Sequence, residues 1–284
     1  MTSFDRRVTP ARHDRAAAHL KGQIEAPFYV EGVRKIVFDG SADMRRQPYP
    51  DAPLDTEALH GEIFIEYECD DEGWSWGQLE RDSYVGFVPS KALTLDEATP
   101  THRVSVLRSF LYGGPSIKLP PMAALSLGSR VTIVDHKDQF AITHRGHCLI
   151  ADHLVPIDRY EADFVTVAER FIGIPYYWGG KTSLGLDCSG LVQIALDAVG
   201  QEAPRDSDMQ EKQLGQTLDP DASLSGLERG DLIFWKGHVG VMRDADTLLH
   251  ASGHHMLVVS EPLREAIARI AAKNAGPITS VKRL

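Results

Sequence analysis

The residues best suited to chemistry in this sequence surround one cysteine, Cys188. Apolar residues after it recur at the spacing of a helix with one buried face, at Leu191, Val192, Ala195, Leu196 and Val199, and Gly200 follows as a stop. Before it, Gly179, Gly180 and Gly185 permit tight backbone turns. The pattern predicts a loop that delivers the thiol to the first turn of a helix. Unpaired N–H groups and the helix dipole favour the attacking thiolate there, so Cys188 is the candidate nucleophile.

A packed, inert thiol is the competing interpretation of Cys188, because free cysteine is among the most buried residue types. The polar neighbours Asp187 and Ser189 make this a poor position for a core side chain, so the catalytic interpretation is favoured. Cys69 and Cys148 are expected to be inert. Three cysteines without metal-ligand spacing predict no disulfide framework and no metal site, and they fit a reducing compartment.

Two histidines, His238 and His250, are the candidate partners of the thiol. The polar run at 243–246 between them reads as a hairpin turn, and an antiparallel pair centred there places the two histidines almost opposite one another. Side chains paired in this way lie ~5 Å apart at Cβ. One imidazole would then take the cysteine proton while the other orients it. The alternative is that both are ordinary histidines among twelve; His254 and His255 are expected in a turn, facing solvent or the rim of a site.

The elements that must position these residues divide the 284-residue chain into four segments. Residues 1–40 read as an N-terminal arm with a short helix through 11–20. Residues 41–97 contain short alternating strands with turn signals, typical of a small β-barrel, and residues 98–157 read as a degenerate second copy. Residues 158–284 place helices before an antiparallel meander, and a last helix is expected at 262–274. This order predicts an α+β domain that carries the cysteine and the histidines.

Composition restricts the function further. The net charge of −10 argues against nucleic acid or an anionic membrane surface as the main partner. No run of about 18 apolar residues is present, so no membrane insertion is expected. The first ten residues lack an apolar segment of the kind found in secretory signals, so the cytoplasm is the expected location, with a non-classical export route left open.

At this point the motifs resemble a known family. Pro175-Tyr-Tyr-Trp-Gly-Gly, Asp187-Cys-Ser-Gly, Gly237-His-Val-Gly and the later His250 look like the NlpC-type cell-wall cysteine peptidases, a papain-like family. The likeness covers 158–284. Gly61-Glu, Gly73-Trp and Tyr84-Val-Gly-Phe are similar to the bacterial SH3-like domains that precede this catalytic domain in one subgroup. The resemblance therefore implies a multidomain protein, with two small SH3-like β-barrels followed by an α+β papain-like cysteine peptidase domain.

The resemblance also implies roles for particular residues. Cys188 would be the nucleophile, His238 the general base and later acid, and His250 the orienting residue. Tyr176 would hold the oxyanion or the substrate beside the nucleophile, with Tyr177 as the alternative. Asp187 and Ser189 match residues that bind the free amine of a peptide substrate. Arg205, Asp206 and Ser207 match a polar loop that lines the same cleft. The first barrel would contribute Glu62 and Tyr84 to the amine, although Glu62 reads equally well as a solvated strand-edge glutamate.

The implied function is that of a cysteine peptidase of the dipeptidyl-peptidase VI type, which needs no metal or cofactor. It would hydrolyse the γ-D-glutamyl–diamino acid bond of short murein peptides that carry a free N-terminal L-Ala, as in cell-wall peptide recycling. The alternatives are an acyltransferase or amidase with the same Cys-His-His triad, and a non-catalytic protein that binds wall peptides. Protein partners are unknown, and the first barrel is equally suited to recognising another protein.

Overall fold

The protein divides into two compact units, Met1–Asp158 (unit 1) and Arg159–Leu284 (unit 2). This computed structural model describes residues 4–95, 98–219, 224–273 and 276–284. No helix among the described residues is both long enough and apolar enough to span a bilayer.

Unit 1 is built almost entirely from short strands. Its strands are β1 Arg15–Ala17, β2 Phe28–Val30, β3 Val33–Val37, β4 Ser41–Arg45, β5 Leu54–Leu59, β6 Ile63–Cys69, β7 Trp74–Leu79, β8 Val85–Pro89, β9 Leu93–Thr94, β10 His102–Val104, β11 Arg108–Tyr112, β12 Pro121–Ser126, β13 Arg130–Val131, β14 Ile133–Lys137, β15 Phe140–Thr143, β16 Cys148–Ile150 and β17 Leu154–Pro156. Single 3₁₀ turns occur at Ala18–Leu20, Ser90–Ala92 and Ala151–His153.

Seven of the described strands form one antiparallel sheet in the order β5-β4-β8-β7-β6-β3-β9. The alternation predicted for 62–68 is confirmed, because β6 buries every second side chain against the core of this sheet. That core is built by Val37, Met44, Phe64, Leu79, Tyr84 and Val88, with smaller residues between them. The two tryptophans of this region, Trp74 and Trp76, lie on β7, directly after Gly73.

Residues 102–156 form a separate all-β region with its own core. Its strands make a five-stranded sheet, β12-β11-β16-β15-β14, and a three-stranded sheet, β13-β10-β17. Leu111, Leu125, Ile133 and Leu149 are the largest members of this core. The alternation of β11 and β12 is hard to recognise in the sequence, because Phe110 and Met122 are exposed and prolines stand at 120–121.

The predicted helix at 11–20 is wrong. The segment instead contributes β1, which pairs in parallel with β2, and a single 3₁₀ turn at Ala18–Leu20. Ala16 and Ala17 are fully buried in this arrangement. Alanine favours helix by well under 1 kcal/mol per residue, so burial and strand pairing outweigh its propensity.

Unit 2 places its helices before and after an antiparallel sheet, as predicted. Its elements are α1 Phe164–Glu169, β18 Lys181–Thr182, β19 Gly185–Leu186, α2 Cys188–Ala198, α3 Ser207–Gln213, β20 Gln216–Leu218, β21 Leu232–Trp235, β22 His238–Met242, β23 Thr247–Ser252, β24 Leu257–Pro262, α4 Leu263–Ala272 and β25 Ser280–Arg283. The six-stranded sheet has the order β20-β25-β21-β22-β23-β24. The expected end of the last helix at Asn274 lies outside the described residues.

Helix α2 is the element on which the site is built. It packs against α1 and against β22 and β23 of the sheet, and ten of its eleven residues are buried. Gly200 has φ 81°, as the predicted helix stop requires. Helix α3 was expected to be a polar connection; its Gln210 donates from Nε2 to the carbonyl oxygen of Ser189 at 2.9 Å and so joins it to α2.

Candidate active site

Cys188 is the first residue of α2, as the spacing predicts. Asp187 caps the helix by accepting the backbone N–H of Gly190 at 2.7 Å. A Cβ at Gly190 would lie 2.3 Å from the carbonyl oxygen of Gly180, so the loop and the helix approach more closely than any other residue would allow. This contact holds the loop before Cys188 against the first turn.

The Asp187 carboxylate is the centre of a buried network around the nucleophile. Arg205 donates to both of its oxygens, at 3.0 and 2.7 Å, and also to the Ser189 hydroxyl at 2.9 Å. The backbone N–H of Gly179 adds a bond of 2.9 Å. Bidentate, charge-assisted bonds of this kind combine strength with geometric precision. The network therefore positions the cysteine from both sides.

Burial opposes the thiolate form that the sequence analysis favours for Cys188. Burial, followed by the charge of Asp187, raises the pKa of this thiol to about 12, although the backbone N–H groups of Val239 and Ser189 favour the anion. Only 7 % of the residue is exposed. Desolvation thus outweighs the N–H groups and the helix dipole, and a base must remove the proton as sulfur attacks.

The two predicted histidines meet directly. His238 Nε2 lies 2.7 Å from His250 Nδ1. Strand β22 begins beside the thiol, since the backbone N–H of Val239, its second residue, bonds to the Cys188 sulfur. Burial, then the neighbouring His250, lowers the pKa of His238 to about 3, so this ring is neutral and able to accept a proton near neutral pH.

The register of the hairpin differs from the prediction. Val241 pairs with Leu249, and Met242 pairs with Leu248. Continuing this antiparallel register by one residue places Gly240 opposite His250. The histidines are therefore diagonal neighbours rather than directly opposite. The rings still meet because residue 240 is glycine: a Cβ there would lie 3.3 Å from His250 Cβ and 2.7 Å from Leu248 Cδ1.

Tyr176, rather than Tyr177, lies beside the nucleophile. Burial and the nearby Cys188 and Asp187 raise the pKa of the Tyr176 phenol, which keeps it a hydrogen-bond donor. Its backbone N–H donates to the carbonyl of Met256 at 2.9 Å. Tyr177 is 44 % exposed and packs on Gly180 and Gly185 of the loop. The predicted preference for Tyr176 agrees with this placement.

A carboxylate that the sequence analysis missed completes the chain of side chains. Glu261 Oε1 lies 2.7 Å from His250 Nε2, and Arg269 of α4 binds both oxygens of Glu261. His250 pairs with Val259 in the sheet, so Glu261 is again a diagonal neighbour on the same face. Only the β23–β24 register reveals this residue, and the sequence has no motif that indicates it.

Parts of the chain match known families. Residues 173–271 match the NlpC/P60 family, and residues 44–93 match the bacterial dipeptidyl-peptidase Sh3 domain. The chain carries an NlpC/P60 domain.

Curated relatives of the NlpC/P60 domain are named as peptidases. A dipeptidyl-peptidase 6 of Lysinibacillus sphaericus is 34% identical over 106 residues, which cover 37% of this chain and 38% of that protein. A gamma-D-glutamyl-L-lysine dipeptidyl-peptidase of Bacillus cereus is 26% identical over 208 residues, 64% of this chain and 60% of that protein. The chain thus spans less than two thirds of the length of either relative.

A solved structure shows the same fold. The crystal structure of an NlpC/P60 family protein from Bacillus cereus superposes with a TM-score of 0.74 at 19% identity, covering 88% of this chain and 99% of that chain. At that identity the likeness establishes the fold alone. The expected combination of an NlpC/P60 domain with an SH3 domain is confirmed by the two family matches.

Within the NlpC/P60 domain, the residues of the polar loop expected to line the cleft differ in how deeply they are buried. Arg205 is 1% exposed, so it lies beneath the surface and acts on the site through Asp187 and Ser189 rather than on a substrate directly. Asp206 and Ser207 are half-buried at the start of α3. Contact of Asp187, Ser189, Asp206 and Ser207 with a substrate stays a prediction.

The two candidates in unit 1 are not surface residues. Glu62 is 1% exposed; its carboxylate accepts the N–H of Leu59 at 2.8 Å and lies 3.4 Å from Arg81 Nη1. The strand-edge interpretation of Glu62 is therefore wrong, and a direct contact with a substrate amine is disfavoured. Tyr84 belongs to the core of the SH3 domain and borders a cavity of about 650 Å³ in unit 1, lined also by Arg12, Trp76 and Phe87.

Proposed function

We propose that this protein is a cysteine peptidase that hydrolyses the γ-D-glutamyl–diamino acid bond of short murein peptides with a free N-terminal L-Ala. The observation that carries the proposal is the thiol at the first residue of α2, beside a strand whose His238 lies 2.7 Å from His250. The names of the two dipeptidyl-peptidase relatives support the substrate class.

The geometry suits a general-base mechanism. His238 accepts the proton of the Cys188 thiol as sulfur attacks the carbonyl carbon of the scissile amide. The tetrahedral intermediate collapses to a thioester when the amide C–N bond breaks, and His238 passes its proton to the leaving amine. Water then attacks the thioester while His238 accepts its proton, and the Cys188 sulfur leaves and is reprotonated. The products are a carboxylic acid and an amine.

Tyr176 is the proposed donor to the oxyanion of that intermediate. Its phenol stays protonated because burial and the adjacent Cys188 and Asp187 raise its pKa. The Gly190 N–H of the first turn is taken by Asp187, whereas the backbone N–H groups of Cys188 and Ser189 have no partner inside the helix and add donors at the same end. A neutral phenol and backbone amides favour the negative oxygen without needing a metal.

We propose that an acidic side chain near the nucleophile binds the free amine of the substrate. An ammonium is best held by a carboxylate. Arg205 already binds both oxygens of Asp187, so the proposed carboxylate is that of Asp206, which is half-buried at the start of α3. We further propose that residues 98–157 are a second SH3-like barrel, and that the enzyme works in the cytoplasm on imported wall fragments. The three free cysteines fit a reducing compartment.

The test is mass analysis of the products from an L-Ala-γ-D-Glu-L-Lys peptide, alone and with its N-terminal amine acetylated. Cleavage after γ-D-Glu in the free peptide, and strongly reduced cleavage of the blocked one, is expected. Equal cleavage of both would remove the amine requirement while leaving the peptidase intact. Absence of cleavage by protein that is folded would refute the substrate class.

A further inference from the structure

The hydrogen bonds beyond the histidine pair determine which nitrogen of each ring carries a proton. We propose that Glu261, held in place by Arg269, is a positioning residue that sets the tautomers of His250 and His238 and so leaves His238 Nδ1 as the base. The inference rests on the proposed function, because it assigns a role within the same catalytic site.

The assignment follows from what each atom can donate or accept. An ionised carboxylate accepts hydrogen bonds and donates none, so His250 Nε2, 2.7 Å from Glu261 Oε1, must carry the proton. A neutral His250 then has a bare Nδ1, which accepts from His238 Nε2 at 2.7 Å. His238 is left with its lone pair on Nδ1. That is the nitrogen which accepts the thiol proton.

The assignment requires both rings to be neutral and Glu261 to be charged. Burial lowers the pKa of His238 and of His250. Burial alone would raise the pKa of Glu261, but hydrogen bonds from His250 and Arg269 prevail and lower it to about 2. If His250 were protonated, its Nδ1–H would donate to His238 Nε2 and force the His238 proton onto Nδ1, where it would block the base.

The ion pair with Arg269 determines whether Glu261 acts on the histidines through its charge or through its hydrogen bond. The Arg269 guanidinium binds both carboxylate oxygens, with Nη1 to Oε2 at 2.7 Å. Arg269 and Glu261 act on His238 with opposite signs, since Arg269 lowers the pKa of that ring and Glu261 raises it. The Glu261 carboxylate therefore acts as a fixed hydrogen-bond acceptor for His250, and it does not add a net negative charge near His238.

The other charged groups that face Glu261 are few among the described residues. His255 Nε2 lies 3.6 Å from Glu261 Oε2 on the turn between β23 and β24, and its side chain is 38% exposed. His254, on the same turn, bonds to Lys273 at 2.7 Å. Both histidines lie on the solvent side of the carboxylate, so the ordered acceptor for His250 remains Glu261.

The experiment compares Glu261→Gln with Glu265→Gln in the full chain. Glutamine keeps the shape, but its amide can present either oxygen or NH₂ to His250, so both tautomers become available. Glu265 is exposed on the neighbouring helix and provides a control that loses the same charge. The readouts are kcat and KM on the free-amine peptide and the ¹⁵N shifts of the histidine rings, which report tautomers without substrate.

The expected result is an Nε2–H proton on both rings of the wild-type protein. In Glu261→Gln we expect an added Nδ1–H form of His238, and a kcat lower by roughly 10- to 100-fold with KM within about twofold. The control should match the wild type in both measurements.

Several outcomes would overturn the proposal. One is a wild-type His238 protonated on Nδ1, a finding that needs no folded variant. A second is an unchanged kcat in the Glu261→Gln protein. A third is a lower kcat in that protein with wild-type ring tautomers, because Glu261 would then have a structural role only. Failure of the proposed function is distinct: the wild type would cleave no peptide while its ring tautomers remained measurable.

Discussion

At the scale of single residues, the site combines a buried thiol with a neutral imidazole. Burial raises the pKa of Cys188 to about 12 and lowers that of His238 to about 3. Burial thus favours the neutral form of both groups. Proton transfer must therefore accompany attack, which makes the orientation of His238 as important as its basicity.

Replacing Cys188 by alanine should abolish turnover. We expect kcat to fall on the order of 10⁴-fold or more, because no other group can form the thioester. Circular dichroism and thermal unfolding should show a folded protein. The matched control is Cys69→Ala, which removes an exposed thiol and should retain full activity. Substantial activity in Cys188→Ala would end the nucleophile assignment.

The acid limb of the pH profile should lie well below the usual histidine range. Because burial lowers the pKa of His238 to about 3, the base stays unprotonated as the pH falls below 6.5, its ordinary value. We expect kcat/KM, measured on the free-amine peptide, to be retained down to about pH 5 and lost nearer the depressed pKa. A half-maximal rate close to 6.5 would contradict the neutral, buried His238.

At the scale of elements, two glycines let the site assemble. Gly190 lets the loop carbonyl of Gly180 press against α2, and Gly240 makes room for His250 on the neighbouring strand. The histidines are diagonal rather than opposite, so their rings span a longer distance than the expected register requires. Small residues at these contacts, rather than special loop sequences, allow the groups to meet.

A methyl group at position 190 should loosen the site. In Gly190→Ala the added Cβ would lie 2.3 Å from a backbone oxygen that cannot rotate away. We expect the free energy of unfolding to fall by about 1–3 kcal/mol and kcat to fall with it. Denaturant unfolding measures this, with Gly253→Ala as control because its nearest atom would be 3.8 Å away. Equal stability of the two variants would contradict the close approach.

At the scale of the whole molecule, the chain joins an SH3 domain to an NlpC/P60 domain, each with its own core. Residues buried in the SH3 core are poor substrate contacts, since their polar atoms already have partners inside that domain. Glu62 is such a case, with Leu59 and Arg81 on its carboxylate.

Replacing Glu62 by glutamine should change stability rather than substrate recognition. Loss of a buried, charge-assisted pair should lower the free energy of unfolding by about 1–3 kcal/mol while KM for the free-amine peptide stays within about twofold. Exposed Glu72→Gln serves as the control for loss of charge. A large rise in KM at full stability would instead restore the predicted role of Glu62 at the amine.

The sequence alone determined the position of Cys188 at a helix start and the strands that carry His238 and His250, because local spacing and turn residues encode both. The preference for Tyr176 came from the family resemblance. Only the tertiary structure decided the diagonal register, the buried thiol, the pairing of Arg205 with Asp187 and the presence of Glu261. Those depend on strand alignment and on desolvation, which arise when distant segments pack together. The segment at 11–20 shows the same limit, since pairing with residues 28–30 overrode its local preference for helix.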